Sequence, residues 1–147
     1  MKGRLYTIVM LILLVPLTTD LMAADDFQMT PQGMQYKDLK PGSGETAAIG
    51  DVATIHFTGW LDDAGHEGKE FYNSRRYQEP VSFVVGTKRV MQGWNDGVIG
   101  MRPGGKRLLK VPPSMGYGSK GVEDIIPPDA RLIFIIDLID VDKRPAY

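Results

Sequence analysis

Few residues in this chain are of the types that carry nucleophilic, metal or redox chemistry. The chain has no cysteine, which excludes disulfide bonds, thiolate nucleophiles, cysteine-ligated zinc and iron–sulfur clusters. His56 and His66 have no further histidine at ligand spacing, and we interpret both as exposed or hydrogen-bonded structural residues. A Gly-x-Ser-x-Gly nucleophile elbow is also missing. The sequence therefore predicts no metal, no cofactor and no hydrolytic nucleophile.

Two loops carry partial motifs that do not amount to a site. The segment 100–106 has the spacing of a Gly-x4-Gly-Lys phosphate loop, but Arg107 stands where a Ser or Thr should hold magnesium. This segment also leads from a predicted helix into a strand, the reverse of a phosphate cradle, so we interpret it as a turn. The acidic loop with Asp62, Asp63 and Glu67 lacks the alternating ligands of an EF-hand and is interpreted as a solvated turn.

The elements that could position a site follow from hydrophobic periodicity. Strand character occurs at 34–39, 51–61, 70–72, 81–85, 107–111 and 132–139. Val90, Trp94, Val98 and Met101 step by four, four and three, which predicts a short helix that Pro103 ends. The last strand is apolar on both faces, so we expect it in the centre of the sheet under the helix. The pattern predicts an α+β domain with about five strands in a largely antiparallel sheet and one short helix.

The segment 112–131 is the first place to look for a site. It is rich in proline and glycine, and loops of this length in a compact domain are usually functional or disordered. Aromatic and branched residues concentrate at this and other loop edges. They are Phe57, Phe71, Val81, Val90, Met91, Trp94, Tyr117, Ile125, Ile126 and Phe134.

Composition limits the domain count and the partners. The chain has 147 residues, of which 43% are hydrophobic and 24% charged, and this is typical of one folded domain. Seventeen basic residues against eighteen acidic ones give a net charge of -1, so no overall field attracts a polyanion. We therefore expect no nucleic-acid partner.

The N-terminal segment has the order of an export signal. Lys2 and Arg4 precede an apolar run of 13 residues at 5–17, and Ala23 and Ala24 follow. The run is shorter than the roughly 20 residues of a membrane-spanning helix, which favours a signal peptide over residues 1–24. An uncleaved membrane anchor and a buried N-terminal helix are the alternatives. After cleavage, we expect a flexible arm over 25–33, a domain over 34–147, no membrane contact, and a periplasmic or otherwise secreted location.

Five sequence strings make the domain recognisable. They are IHFTGW, KEFYNSR, VMQGWNDGV, GYGSKG and IIPPDARLIF, in this order along the chain. In order and spacing they resemble the FKBP-type peptidyl-prolyl cis–trans isomerases, over 34–141. The resemblance implies a five-stranded antiparallel sheet wrapped around a short helix, and an enzyme that accelerates rotation about X–Pro bonds.

The resemblance also implies a role for each candidate site residue. Trp94 is expected to form the floor of a proline pocket, and the Tyr117 hydroxyl and the Met91 N–H to donate hydrogen bonds to substrate carbonyls. Ile125 and Ile126 are expected to form a lip from the long loop. The expected walls are Phe57, Phe71, Val81, Val90, Met91 and Phe134.

Two positions depart from the family pattern. Tyr72, which we expect among the substrate-binding residues, stands after Phe71, where the family has an aspartate that points into the pocket. Val81 stands where phenylalanine is common. The resemblance implies proline-containing polypeptide clients, and the loss of the carboxylate implies weakened affinity for macrolide inhibitors. A catalytically weak proline-binding module or holdase chaperone, and a scaffold that binds one partner through the long loop, are the alternative functions.

The signal sequence predicts a processed protein in the native host. Because Ala23 and Ala24 provide the small residues that follow the apolar run, we expect an N-terminus at Ala24 or Asp25. Mass spectrometry of protein purified from the native host measures this directly. An intact Met1 on a membrane-bound chain contradicts cleavage.

Overall fold

The computed structural model describes residues 26–145. The predicted signal peptide at 1–24 lies outside these residues. Within the described range, no helix has both the length and the apolar character needed to cross a membrane. The elements in chain order are β1 (Gln28–Met29), β2 (Gln35–Lys40), β3 (Val52–Asp63), β4 (His66–Asn73), α1 (Ser74–Tyr77), β5 (Val81–Val84), α2 (Gln92–Val98), β6 (Lys106–Val111), a 3₁₀ turn (Pro113–Met115) and β7 (Leu132–Asp142).

All strand pairs of the sheet are antiparallel, in the order β1-β2-β6-β7-β3-β4, and β5 pairs with β3. The predicted α+β class is confirmed, and β7 lies between β6 and β3 as its apolar faces indicated. Residues 26–145 form seven strands rather than about five. β3 is long enough to pair with two partners on one edge, with β5 over Val52–Ile55 and with β4 over Thr58–Asp63.

The strand that no predicted segment covers, β1, falls in the predicted flexible arm at 25–33. Gln28 pairs with Tyr36, and the Tyr36 hydroxyl donates a 2.7 Å hydrogen bond to Gln28 Oε1. Thr30 N–H donates to the carbonyl of Met34, whose side chain is fully buried. Part of this segment thus pairs with the sheet, and its flexibility stays a prediction. A strand of two residues is too short to show the alternation by which strands are predicted.

The helix α2 approaches the sheet closely because two of its residues have no side chain. A Cβ atom at Gly93 would lie 2.8 Å from Val111 Cγ1, and one at Gly97 would overlap the Leu109 side chain. Trp94 is buried in the same helix and faces the core. The glycines therefore set the depth at which Trp94 enters the core.

Arg107 explains why the segment 100–106 is a turn rather than a phosphate loop. Its guanidinium donates to the carbonyls of Gly97 and Ile99, at 3.0 and 2.9 Å, at the end of α2. It also forms an ion pair with Asp38, at 2.6 Å from Nε to Oδ1. Arg107, at the end of the glycine-rich turn, thus caps the carboxyl end of α2.

His56 and the acidic loop also have structural partners. His56 Nδ1 lies 2.8 Å from the hydroxyl of buried Ser74, and His66 is exposed. Asp62 Oδ1 accepts a 2.5 Å hydrogen bond from the Gly65 N–H, which closes the acidic turn. Among residues 26–145, no group of three or more potential ligand side chains is placed to hold a metal ion.

Replacement of Gly97 by alanine tests the close approach of α2. Alanine is the better helix former by about 1 kcal/mol, but overpacking of a core typically costs about 1–3 kcal/mol. Because Leu109 is fully buried and has little room to move, we expect a net loss of about 1 kcal/mol and a lower Tm in thermal unfolding. Gln92→Ala, on the exposed side of the same helix, is the control and should stay within about 0.5 kcal/mol of wild type. An unchanged or higher Tm for Gly97→Ala contradicts the argument.

Candidate active site

A cavity of about 240 Å³ opens between the long loop and the strands β3, β4 and β7. Its wall contains only aromatic and aliphatic side chains, two of which carry a phenol hydroxyl. The lining residues are Phe57, Phe71, Tyr72, Tyr117, Val122, Ile125, Ile126 and Phe134. Seven of these eight are residues that the sequence predicted for the site, and the structure brings them together.

The strands position the aromatic rings around a residue that has no side chain. Gly59 of β3 pairs with Phe134 of β7, and a Cβ atom at Gly59 would lie 2.5 Å from Phe71 Cζ and 2.9 Å from Phe134 Cε1. The Phe71 and Phe134 rings meet edge to face, with centroids 5.7 Å apart. The glycine thus leaves the space in which these two rings pack.

Trp94 lies beside two of the lining rings. Its centroid is 4.4 Å from that of Phe57 and 5.7 Å from that of Phe134, both in edge-to-face geometry. The indole N–H is buried and has no hydrogen-bond partner within the described part of the chain. A buried hydrogen-bond donor without a partner destabilises the folded state. Such a donor beside a cavity is therefore more typical of a functional site than of an ordinary core.

The long loop forms a fixed rim rather than a flexible strap. Val122 and Ile126 form an isolated bridge in which each N–H donates to the other residue's carbonyl, both at 2.8 Å. Farther along the loop, the Asp129 N–H donates to the Gly118 carbonyl at 2.8 Å. Val122 is the lining residue that the sequence analysis missed. The length and composition of the loop indicated the region, but no local pattern distinguished Val122 from its neighbours.

The Tyr117 hydroxyl is protonated at neutral pH. Burial raises the pKa of this phenol above its ordinary value of about 10, because a less polar surrounding disfavours the charged form. The residue is nevertheless 41% exposed, so the side chain remains accessible from the cavity mouth. Tyr117 is therefore able to donate a hydrogen bond across the physiological pH range.

Tyr72 changes the polar end of the cavity. Its ring is stacked on Phe57 with centroids 5.0 Å apart and an interplanar angle of 13°. The ring lies along the wall as one of the lining groups, and the cavity beside it stays open. Aromatic packing thus replaces the carboxylate that the family resemblance leads one to expect.

Four predicted site residues are not on the cavity wall, and one of them is Trp94, the predicted floor, which packs against Phe57 and Phe134. Val81, Val90 and Met91 are half-buried and pack against the hydrophobic core. Val81 is the first residue of β5 and pairs with Ile55, while Met91 precedes the first turn of α2. The predicted contacts of these three residues with substrate stay predictions. The predicted hydrogen bond from the Met91 N–H to a substrate carbonyl also stays a prediction.

Comparison with known proteins agrees with this geometry. A model of the FKBP-type peptidyl-prolyl cis–trans isomerase family matches residues 43–139. The chain is 40% identical over 109 residues to "FK506-binding protein" of Neisseria meningitidis serogroup B, covering 74% of this chain and 96% of that protein. It is 40% identical over 99 residues to "FK506-binding protein 2" of Yarrowia lipolytica, covering 67% of this chain and 66% of that protein.

Two solved structures are similar in fold. FkpA from Escherichia coli has a TM-score of 0.71 and 33% identity, over 84% of this chain and 55% of that one. AtFKBP13 has a TM-score of 0.68 and 32% identity, over 78% of this chain and 98% of that one. The chain belongs to the FKBP family, and its activity is peptidyl-prolyl cis–trans isomerisation.

Proposed function

We propose that this isomerase is an exported folding catalyst, and that it accelerates X–Pro rotation chiefly by removing the prolyl amide from water. The observation that carries the mechanism is the wall of the cavity, whose eight residues include no carboxylate, histidine or cation. The volume of about 240 Å³ suits a single side chain such as a proline ring, because pockets for drug-sized ligands typically measure about 300–1,000 Å³.

The chemistry of the amide explains why such a cavity is sufficient. Rotation is slow because the planar amide loses resonance as it twists, with a barrier of about 20 kcal/mol. The twisted amide has less charge separation than the planar one, so an apolar surrounding favours the twisted form. Every 1.36 kcal/mol of preferential stabilisation of the twisted form increases the rate about tenfold.

The side chains divide this task between them. Phe71 and Phe134 exclude water from the proline ring, and Trp94 packs edge to face against Phe134. The Tyr117 hydroxyl holds a substrate carbonyl, which fixes the orientation of the peptide while the X–Pro bond turns. Ile125 and Ile126 close the lip above the ring.

Clients and location follow from the sequence rather than from the site. If the signal at 1–24 exports this protein, it meets other newly translocated chains. The X–Pro bonds of those chains isomerise over tens of seconds without a catalyst. We therefore propose proline-containing polypeptides in the periplasm, or outside the cell, as clients.

A weak proline-binding module is the competing function, and Tyr72 favours it. The ring occupies a position at which the family has a shorter, charged side chain, and it reduces the polar part of the cavity. If Tyr72 also prevents the proline from entering fully, the protein holds clients without turning them over.

The relatives' names suggest FK506 as a ligand, and Tyr72 suggests that this chain binds it weakly. A carboxylate that accepts a hydrogen bond from a polar ligand group contributes about 1.5–3 kcal/mol, and a stacked tyrosine ring does not replace that acceptor. We propose that macrolides of this type bind, with reduced affinity.

The pH profile tests the desolvation mechanism. Because the cavity wall holds no carboxylate, histidine or cation and burial raises the pKa of Tyr117 above its ordinary value, kcat/KM for a prolyl peptide should be flat between pH 6 and 8. Tyr117→Phe should lower kcat/KM by about 2- to 13-fold, which corresponds to the loss of one neutral hydrogen bond. The pH profile of this variant should stay flat. A steep bell-shaped profile in wild type would show that proton transfer is part of the reaction.

Restoring the family carboxylate should change the affinity for FK506 more than the isomerisation of prolyl peptides. Tyr72→Asp should tighten FK506 binding by about 10- to 150-fold, measured by calorimetric titration, because the drug regains an acceptor. The same variant should isomerise apolar prolyl peptides about as well as wild type. Thermal unfolding is the control, since Tyr72 also loses its stacking on Phe57.

Two outcomes of that experiment contradict parts of the proposal. Unchanged FK506 affinity in a folded Tyr72→Asp variant removes the hydrogen-bond argument. An inactive wild type that Tyr72→Asp converts into an isomerase shows that the tyrosine occludes the cavity, and it identifies the natural protein as a binding module.

A further inference from the structure

Three aromatic rings form a continuous stack from the cavity to the surface. Tyr72 lies between Phe57, with centroids 5.0 Å apart, and Tyr77, with centroids 5.4 Å apart, and the interplanar angles are 13° and 29°. Phe57 is buried at the cavity wall, whereas Tyr77 is 62% exposed. The stack therefore ends in a ring whose outer surface is open to solvent.

The turn that carries Tyr77 is fixed to the sheet beside Phe57. Ser74, the first residue of α1, is fully buried, and its hydroxyl accepts a 2.9 Å hydrogen bond from the Phe57 N–H. The Asn73 side chain caps the turn by accepting from the Arg75 N–H at 3.1 Å. Tyr77 is thus held by backbone and side-chain contacts on a short, capped turn, so little ordering is required when a ligand binds it.

The charged neighbours of Tyr77 are engaged with the sheet. Arg75 forms an ion pair with Asp137 at 3.2 Å, and Arg76 forms one with Glu70 at 2.9 Å. Both arginines therefore have a carboxylate partner within this chain. What the end of the stack offers to a client is an aromatic surface rather than an unpaired cation.

We propose that Tyr77 is a subsite for an aromatic side chain of the client polypeptide, located three residues from the proline in the cavity. The proposal rests on the proposed function, because it places the isomerised proline against Phe57. The two stacking distances separate the Phe57 and Tyr77 centroids by no more than about 10 Å. An extended or polyproline II chain advances about 3.1–3.3 Å per residue, so three residues carry the client backbone from Phe57 to Tyr77, and the client side chain extends from there onto the outer surface of Tyr77.

An aromatic ring is the occupant that this surface fits best. Aromatic pairs favour centroid separations of about 4.5–7 Å, and the observed spacings of 5.0 and 5.4 Å show that the existing rings already pack in this way. A client ring on Tyr77 extends the same stack by one member. Tyr72 is the residue that makes the stack continuous, because an aspartate at this position has no ring to bridge Phe57 and Tyr77.

A peptide series with one X–Pro bond tests the subsite. One series carries Phe, Leu or Ala three residues before the proline, and a second carries them three residues after it. In one of the two series, wild type should show kcat/KM and affinity about 2- to 13-fold higher for Phe than for Ala, and a smaller gain for Leu. Exchange NMR measures the isomerisation rate, and calorimetry measures the affinity.

Variants at Tyr77 assign the preference to this ring. Tyr77→Ala should bring the ratio of the Phe and Ala values to about one, and Tyr77→Phe should restore it. Ile139→Ala, which removes an exposed apolar side chain from the end of β7, is the matched control and should keep the wild-type ratio. Because the readout is a ratio within each variant, a loss of folded protein does not imitate the result.

The outcomes separate this subsite from the proposed function. A wild type that isomerises no peptide but binds the Phe peptide more tightly, through Tyr77, overturns the enzyme mechanism and supports the subsite. Isomerisation of all peptides with no preference for Phe overturns the subsite alone. Equal gains from Phe and Leu, or a preference that Tyr77→Ala retains, also overturn it.

Discussion

The close contact between α2 and β6 is the constraint on which the rest of the site depends. Gly93 and Gly97 have no side chains to separate the helix from Val111 and Leu109, so the helix lies close enough for Trp94 to enter the aromatic cluster. Arg107 then fixes the carboxyl end of the helix by donating to its last carbonyls. A helix one methyl group farther from the sheet would leave the lining rings without support from behind.

The aromatic cluster serves stability and function with the same contacts. Phe134 is almost fully buried and contacts Phe57, Phe71 and Trp94, yet it also lines the cavity. A ring held in this way has no freedom to collapse into the space beside it, so the cavity persists. The residues that keep the cavity open are therefore those that form the core, and catalytic side chains of this kind are hard to replace without a loss of stability.

Tyr72 illustrates how one residue alters a site that is otherwise typical of its family. The family position is acidic, whereas here it is a ring between two other rings. The exchange removes a hydrogen-bond acceptor from the cavity and adds a continuous aromatic surface that reaches solvent at Tyr77. The affinity for polar ligands should fall, because these ligands need the hydrogen-bond acceptor. Extended polypeptides should lose less, because they contact the added aromatic surface.

Much of the architecture was available from the sequence because local patterns encode it. The alternation along 51–61 predicted β3, and the apolar faces of 132–139 predicted the central position of β7. The steps between Val90, Trp94 and Val98 predicted α2. Family motifs, rather than periodicity, identified most of the cavity wall, since a core ring and a pocket ring look the same in a single sequence.

By itself, the sequence determined the class of fold, the family and the types of side chain at the site. Tertiary structure alone decided that β1 pairs with β2 and that Tyr72 stacks between Phe57 and Tyr77. It also decided that Val122 lines the cavity, whereas Trp94, Val81, Val90 and Met91 do not. Each of these depends on where distant segments meet. Periodicity reports only which face of an element is apolar, and the partner of that face is fixed by packing between elements far apart in the chain.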